Sequence, residues 1–155
     1  AGFGYIYIAT AAISLSQIRE VSDEGRLIIF WFFAIIWGND IGAYIIGRAL
    51  GGPRIAPRIS PGKTWAGTLG GLVVSGLTSL CFMGTIMVTP GVASLVVASL
   101  ALAVGAQLGD LAESYFKRFY GIKDTGSLIP GHGGVLDRAD GVLLTAPIVF
   151  VVFVL

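Results

Sequence analysis

Long apolar runs, separated by shorter polar stretches, dominate this chain. A helix needs about 20 mainly apolar residues to cross the hydrocarbon core of a membrane, and five of the runs come close to that length. The five runs are residues 3–18, 27–50, 66–88, 92–112 and 141–155. They do not alternate with the period of two that a barrel wall requires. The pattern therefore predicts an all-α integral membrane protein with about five transmembrane helices.

The polar connections between the runs differ sharply in charge. Residues 48–63 and residues 117–138 each carry four Lys or Arg, whereas residues 89–91 carry no charge. By the positive-inside rule the two basic loops face the cytoplasm and the short connection is external. Residues 19–26 hold two Arg and three acidic residues, and alternation places them outside. The five predicted spans thus fit one consistent topology with two basic cytoplasmic loops.

Composition narrows the class of protein further. Of the 155 residues, 55% are hydrophobic and 12% are charged, which excludes an ordinary soluble fold. The net charge is +1 and the charges are clustered, so no basic surface for nucleic acid is expected. The 23 glycines are typical of helices that approach closely in lipid. Both ends run directly into apolar sequence, and we expect the chain to be part of a larger membrane protein.

Three acidic residues lie within predicted spans or directly at the end of one: Asp40, Asp110 and Glu113. A charged side chain at membrane depth costs roughly 2.5–3.5 kcal/mol, so each needs a partner, a cavity or a function. Helical spacing places Asp110 and Glu113 on one face of their helix, together with Gln107, Ser114 and Lys117. Each carboxylate could simply pair with a Lys or Arg of a neighbouring helix. Three of them toward the same end of their spans favour a site.

The segment 110–140 gathers most of the chemistry of the chain. It holds four of the ten Lys and Arg, five of the nine Asp and Glu, and the one histidine, His132. Asp110 and Asp137 lie near the two ends of the basic loop, and carboxylate oxygens suit hard cations such as Mg²⁺. His132 has no zinc-type spacing, so a phosphate contact or a hydrogen bond within the loop is preferred. The glycines around His132 fit either a ligand cradle or a flexible connection.

The other basic loop ends in "SPGKTWAGTLGG", residues 60–71. The segment is not a P-loop, because the first glycine of that motif would fall at position 57, which is Pro57. Ser60, Lys63 and Thr64 nevertheless offer donors and a positive charge just before a predicted helix N-terminus, a natural phosphate site. A positive-inside anchor would account for Lys63 but not for the two hydroxyl groups.

These segments together closely resemble the phosphatidate cytidylyltransferases, also called CDP-diacylglycerol synthases. The matching positions of the polar segment are Ser114, Lys117, Arg118, Lys123, Asp124, Pro130, His132, Gly133, Gly134, Asp137, Arg138 and Asp140. Upstream, "NDIGAYIIGR", "SPGKTWAG" and "QLGDLAES" are similar to segments of that family in the same order. The resemblance covers roughly residues 37–140, and the outer spans match only in being hydrophobic.

The resemblance implies an activity, its partners and a location. Members of the family are multi-span enzymes that transfer the CMP moiety of CTP to phosphatidic acid, giving CDP-diacylglycerol and pyrophosphate. CTP, phosphatidic acid and membrane lipid are therefore the expected partners, and a homodimer is left open. The expected location is the bacterial inner membrane, with the active site facing the cytoplasm. Relatives carry more N-terminal spans, so residues 1–155 are expected to be a single membrane-embedded catalytic domain from the C-terminal part of a longer chain.

The resemblance also implies roles for individual residues. Asp110 and Asp137 would bind Mg²⁺, with K⁺ as a candidate second ion, and both would act in catalysis with Lys117 and Arg138. The expected substrate-binding residues are Ser60, Lys63, Thr64, Arg118, Lys123, His132, Asp40 and Glu113. Many relatives have a Glu where this chain has Ala66, so no role is assigned to that position.

Two other classes of function fit part of the pattern. An ion-coupled transporter would explain the acidic residues within the spans but would leave the basic, glycine-rich loop without a role. A CTP-dependent enzyme acting on a prenyl lipid, or a lipid kinase, would use the same charged groups. Turnover of CTP by the full-length protein distinguishes these alternatives.

Overall fold

The computed structural model describes residues 2–20, 24–86, 91–122 and 136–154, with the side chains of residues 2, 3 and 136–138 excepted. Within these residues the chain forms five α-helices and one two-stranded antiparallel sheet. In chain order the elements are α1 (Gly2–Glu20), α2 (Gly25–Leu50), β1 (Arg54–Ala56), β2 (Ser60–Thr64), α3 (Trp65–Leu80), α4 (Val92–Phe119) and α5 (Leu136–Val154). The predicted all-α architecture is confirmed in outline.

Successive helices from α2 to α5 pack antiparallel. The contacts that define these directions are Gly38 with Thr78 and Gly47 with Gly67 for α2 and α3, Gly76 with Leu100 and Gly71 with Gln107 for α3 and α4, and Gly105 with Thr145 and Gly109 with Asp140 for α4 and α5. Consequently the C-terminal ends of α2 and α4 lie beside the N-terminal ends of α3 and α5. We call this end of the bundle the polar end.

Helix α3 is built with its small residues inside and its large apolar residues outside. The residues that it buries are Gly67, Gly70, Gly71, Ser75 and Ser79. On its outer face Leu69, Val73 and Leu77 are 58%, 59% and 59% exposed. A helix of a soluble protein has the opposite arrangement, with its large apolar side chains facing the core. Small residues at helix interfaces are typical of helix bundles in lipid.

The larger side chains of the core come mainly from α2. Trp31, Phe32 and Ile35 are fully buried. The indole Nε1 of Trp31 donates to Ser99 Oγ of α4 at 3.2 Å, which satisfies its polar atom inside the bundle. The ring of Trp31 also meets Phe153 of α5 edge-on, with 5.3 Å between the ring centroids. These contacts fix α2, α4 and α5 against one another away from the polar end.

Two of the described helices are long and apolar enough to cross a membrane: α2 with 26 residues and α4 with 28. At 1.5 Å per residue they are about 39 Å and about 42 Å long. Helix α3 and residues Ala139–Val154 of α5 are apolar but shorter. A membrane-associated, mostly helical protein is therefore supported, whereas the count of five spans stays a prediction.

A β-hairpin stands where the sequence predicted only a loop. Strand β1 pairs antiparallel with β2, with Arg54 opposite Thr64 and Ala56 opposite Ser60. Trp65 N donates to Pro53 O at 3.0 Å, so the hairpin leads directly into the first turn of α3. The hairpin extends from the polar end of the bundle and carries part of the site described below.

Candidate functional site

A cavity of about 300 Å³ opens at the polar end of the bundle. Helices α2, α3 and α4 and the hairpin all contribute to its wall. The lining residues are Asn39, Asp40, Ala43, Tyr44, Ile55, Gly62, Lys63, Thr64, Gly67, Thr68, Gln107, Asp110 and Leu111. Four of the residues predicted for the site therefore meet here from separate parts of the chain: Asp40, Lys63, Thr64 and Asp110.

The centre of the cavity wall is an ion pair between the hairpin and α4. Lys63 Nζ lies 2.6 Å from Asp110 Oδ2, and it also donates to the backbone carbonyl of Gln107 at 3.4 Å. The Lys63 side chain is 22% exposed and the Asp110 side chain 41%, so both groups can be reached from the cavity. The second oxygen of Asp110, Oδ1, accepts from Ser114 Oγ at 3.4 Å.

The three predicted phosphate-binding residues of the hairpin occupy different places. Thr64 is the N-cap of α3, and its Oγ1 accepts from Gly67 N at 3.1 Å. Because an N-cap orients the free N–H groups of the first helical turn, Thr64 places the N-terminus of α3 at the cavity. Ser60 begins β2 at the far end of the hairpin and is not among the residues that line the cavity.

Side-chain amides form the floor of the cavity. Gln107 Nε2 of α4 donates to Asn39 Oδ1 of α2 at 2.7 Å and to Thr68 O of α3 at 3.2 Å. Asn39 Nδ2 in turn donates to Asp40 Oδ1 at 3.4 Å. Asn39 is buried, whereas Asp40 is exposed, so the network joins the interior of the bundle to the cavity.

A second group of charges lies on α4 just beyond Asp110. Glu113 and Lys117 are mostly buried and form an ion pair one helical turn apart, with 3.2 Å between Lys117 Nζ and Glu113 Oε1. Asp140 of α5 lies within electrostatic range of Lys117 and Asp110, and its Oδ1 accepts from Gly141 N at 2.6 Å. Glu113 and Lys117 are thus close to the cavity but do not line it.

Of the remaining predicted site residues, some lie at the polar end of the bundle and the others are not described by the structure. Arg118 Nε donates to Ile59 O at 3.4 Å and so connects α4 to the turn of the hairpin. Lys123 and His132 lie outside the described residues. Asp137 and Arg138 belong to the first turn of α5, but their side chains are not described.

The carboxylates at the polar end have the ligand chemistry that a hard cation prefers, but their positions only partly fit a metal site. Asp40 and Asp140 are both within electrostatic range of Asp110, and all three offer oxygen ligands of the kind that Mg²⁺ prefers. Among the described side chains, however, no group of three is close enough to hold a metal ion. Asp137, the other carboxylate predicted to bind the ion, has a side chain that is not described.

Sequence reasoning gave no specific role to several residues that the structure places at the site. Gln107 was assigned only to the polar face of its helix, and Asp140 only to the matching segment. Tyr44 was predicted only to share a helical face with Asp40, and Asn39 and Thr68 were not singled out. Asn39 and Gln107 are 68 positions apart, so their hydrogen bond had no local signal. An amide that directly precedes an acidic residue within a span was the one available hint.

Comparison with known proteins agrees with the resemblance found in the sequence. All of residues 1–155 match the profile of the Cytidylyltransferase family, and the chain therefore belongs to that family. The profile covers the hairpin, the cavity and the acidic residues of α2, α4 and α5.

Three curated relatives are named phosphatidate cytidylyltransferase. The protein from Brucella melitensis is 45% identical over 147 residues, covering 95% of this chain and 54% of the relative. The protein from Rickettsia bellii is 47% identical over 151 residues, covering 94% and 65%. The protein from Staphylococcus saprophyticus is 38% identical over 154 residues, covering 99% and 59%. The chain thus spans little more than half of the length of most of these relatives.

Proposed function

We propose that the protein carrying this chain transfers the cytidylyl group of CTP to phosphatidic acid, forming CDP-diacylglycerol and releasing pyrophosphate. The observation that carries the proposal is the accessible Lys63–Asp110 pair. The pair lies in a cavity at the polar end of a helix bundle whose packing is typical of membrane proteins. Membership of the Cytidylyltransferase family and the names of the relatives support the same reaction.

The reaction joins two anions, and this determines what the residues must do. A phosphate oxygen of the lipid attacks the α-phosphorus of CTP, and the bond from that phosphorus to the bridging oxygen of the β-phosphate breaks. The electron pair leaves with pyrophosphate. Since a phosphatidate oxygen is already nucleophilic at neutral pH, the protein has to align the groups and offset negative charge. Lys63, at the cavity wall and beside the N-terminus of α3, provides positive charge for a phosphate group.

Asp110 and Asp137 are the residues that would hold Mg²⁺, with K⁺ as the candidate second ion. The bound cation would supply charge neutralisation to the triphosphate. Asp110 contributes two carboxylate oxygens at the cavity, one beside Lys63 and one beside Ser114. Lys63 pairs with Asp110 in this structure. If Asp110 held the cation, Lys63 would be available to bind a substrate phosphate.

The remaining predicted site residues would act around this centre. We propose that Lys117 and Arg138 act in catalysis beside the metal carboxylates. Residues Ser60, Thr64, Arg118, Lys123, His132, Asp40 and Glu113 are proposed to bind substrates. Lys117 lies one turn from Glu113 and near Asp140, which keeps its ammonium group at the end of α4 that borders the cavity.

The polar end of the bundle is proposed to face the cytoplasm of a bacterial cell, with all five helices crossing the inner membrane. Phosphatidic acid would enter from the leaflet and CTP from the aqueous side. Residues 1–155 would then form the catalytic domain of a longer chain. A homodimer stays a prediction.

The full-length protein, reconstituted into vesicles, tests the reaction. We expect pyrophosphate release that requires CTP, Mg²⁺ and phosphatidic acid together, with label from α-³²P-CTP appearing in the lipid. A transporter would release none, a lipid kinase would transfer the γ-phosphate, and a prenyl-lipid enzyme would require a prenyl phosphate. Any of these three results would contradict the proposal.

Lys63→Ala and Arg58→Ala form a matched pair for the same assay. Both remove a cation from the hairpin, but Arg58 is an exposed turn residue that does not line the cavity. Because Lys63 is expected to stabilise charge in the transition state, its loss should lower kcat by about 10²-fold or more. The Arg58 variant should remain within about twofold of wild type, since exposed charges contribute little. Equal losses in both variants would contradict the role of Lys63.

A further inference from the structure

The floor of the cavity contains a hydrogen-bond chain whose members have fixed donor and acceptor roles. Gln107 Nε2 has two N–H groups, and two carbonyl oxygens lie within reach: Asn39 Oδ1 at 2.7 Å and Thr68 O at 3.2 Å. A primary amide nitrogen can donate but not accept. Gln107 therefore presents both of its donors to neighbouring helices, one to α2 and one to α3.

This contact decides which way the amide of Asn39 faces. With Oδ1 accepting from Gln107, the Nδ2 group of Asn39 points toward Asp40 Oδ1, 3.4 Å away. The reverse orientation would place two N–H groups against each other at Gln107. It would also place the Asn39 oxygen against the carboxylate of Asp40. Gln107 thus determines that Asp40 receives a donor and not a second acceptor.

Packing leaves the amide pair little freedom to rearrange. Asn39 is buried, and a Cβ atom at Gly71 of α3 would lie 2.5 Å from Asn39 Oδ1 and 3.0 Å from Gln107 Nε2. The backbone of α3 therefore closes directly over the two amides. Asn39 and Gln107 nevertheless line the cavity together with Asp40.

We propose that Gln107 is a positioning residue that acts through Asn39 to hold the Asp40 carboxylate toward the Lys63–Asp110 pair. The backbone carbonyl of Gln107 also accepts from Lys63 Nζ at 3.4 Å, so one residue of α4 contacts both sides of the cavity. Asp40 lies within electrostatic range of Lys63 and Asp110, the groups that its orientation would affect. The inference rests on the proposed function, since it assigns Asp40 a place in that reaction.

A double-mutant cycle separates positioning from helix packing. Asn39→Leu removes the donor that reaches Asp40, and Gln107→Met removes the group that orients this donor. The double variant therefore loses the same positioning only once. We expect each single variant to lower kcat about tenfold, the lower part of the range seen for residues that orient ligands. The KM for CTP should stay within about twofold. The double variant should also show about a tenfold loss in kcat.

Thermal unfolding supplies the second measurement. Replacing both members of a buried hydrogen bond by apolar side chains of similar shape costs less stability than replacing one. We therefore expect the Tm of the double variant to exceed that of the less stable single variant, while kcat does not recover. Ser75→Ala is the matched control. It removes a buried hydrogen bond from Ser75 Oγ of α3 to the Ile35 carbonyl of α2, away from the cavity, and should lower Tm without changing kcat.

Each outcome decides the question. If kcat follows Tm across all four variants, the two amides only pack helices and the inference is wrong. If the double variant loses about 100-fold, the two amides act independently of each other, and the inference is wrong as well. If Gln107→Met does not fold, Asn39→Leu alone decides, because an unchanged kcat in a folded protein overturns the inference. If wild type makes no lipid-dependent pyrophosphate, the proposed function fails first and the inference fails with it.

Discussion

The Lys63–Asp110 ion pair is better suited to exchange than to stabilisation. Both side chains are partly exposed, and ion pairs of this kind contribute about 0–1 kcal/mol to stability. A ligand that separates the two groups therefore lowers the stability of the folded protein only slightly. A carboxylate released by Lys63 could coordinate a cation while the ammonium group binds a phosphate. Under the proposed function, the ion pair is therefore the resting state of the site.

Asp110→Asn tests the metal role at the scale of one residue. An amide oxygen is a far poorer ligand for a hard cation than a carboxylate, so activity at limiting Mg²⁺ should fall sharply. Substituting partners of metal ligands already costs 10- to 100-fold, and a direct ligand should cost more than about 100-fold. Asp137→Asn should behave in the same way. Turnover as a function of Mg²⁺ concentration is the measurement.

Glu24→Gln serves as the control for these variants. Glu24 precedes α2 at the opposite end of the bundle, and its side chain makes no capping hydrogen bond there. Its loss should change neither turnover nor the Mg²⁺ requirement. Near wild-type turnover of both Asn variants at limiting Mg²⁺ would show that the metal assignment is wrong.

Individual site residues could be predicted from the sequence where a local pattern carried them. Lys63 and Thr64 precede a helix that the third apolar run predicted. Asp40 and Asp110 are acidic residues within apolar runs. Their mutual contacts had no such pattern, because the approach of Lys63 to Asp110 depends on how α3 and α4 pack. Ser60 looked equivalent to Thr64 in the sequence, but the hairpin separates them along β2.

At the scale of elements, the seam between α2 and α3 depends on the absence of side chains. At Gly67 an added Cβ would lie 2.7 Å from Ala43 O, and at Gly42 it would lie 2.8 Å from Val74 Cβ. Close backbone approach of this kind supplies the packing that drives helix association in lipid. The seam also sets the position of Lys63, since α3 begins directly after β2.

Gly71→Ala and Gly76→Ala test this seam within one helix. At Gly71 an added methyl group would meet Asn39 at both Oδ1 and the backbone oxygen, whereas at Gly76 the nearest atom is Leu100 Cδ2 at 3.8 Å. We expect Gly71→Ala to lower stability by about 1–3 kcal/mol through overpacking. Gly76→Ala should be neutral or raise it by up to about 1 kcal/mol through helix propensity. Unfolding in detergent measures both, and equal effects would contradict the packing described here.

The number and order of the described helices were predictable from the sequence, but not all of their ends. The third apolar run was expected to continue to residue 88, yet α3 ends at Leu80 and a series of turns follows, with Gly84 at a φ of 84°. The fourth was expected to stop at residue 112, yet α4 continues to Phe119, where Glu113 and Lys117 pair along the helix. Hydropathy alone locates apolar segments, whereas turns and ion pairs locate helix ends. The hairpin was missed because Pro57 and Pro61 argue against strands, although an edge strand tolerates proline.

For the whole molecule, the alternating helix directions gather every charged element of the candidate site at one end. The hairpin, the C-terminal end of α4 and the N-terminal end of α5 all lie there, and both predicted basic loops belong to these connections. The opposite end holds the C-terminal end of α1, the N-terminal end of α2 and the turns that follow α3. The positive-inside rule favours the cytoplasmic orientation proposed above for the polar end.

Cysteine labelling of the full-length protein in sealed cells tests this orientation. Cys81 is exposed and must first be replaced by serine, together with any other cysteine of the protein. Gly62→Cys places a thiol at the polar end, where an added Cβ meets no atom within 4 Å. Thr85→Cys places one in the exposed turn beyond the other end of α3. An impermeant maleimide added outside should label residue 85 and leave residue 62 unlabelled until the membrane is opened. Labelling of residue 62 in sealed cells would place the cavity on the side without CTP, and both the topology and the proposed access of the nucleotide would then be wrong.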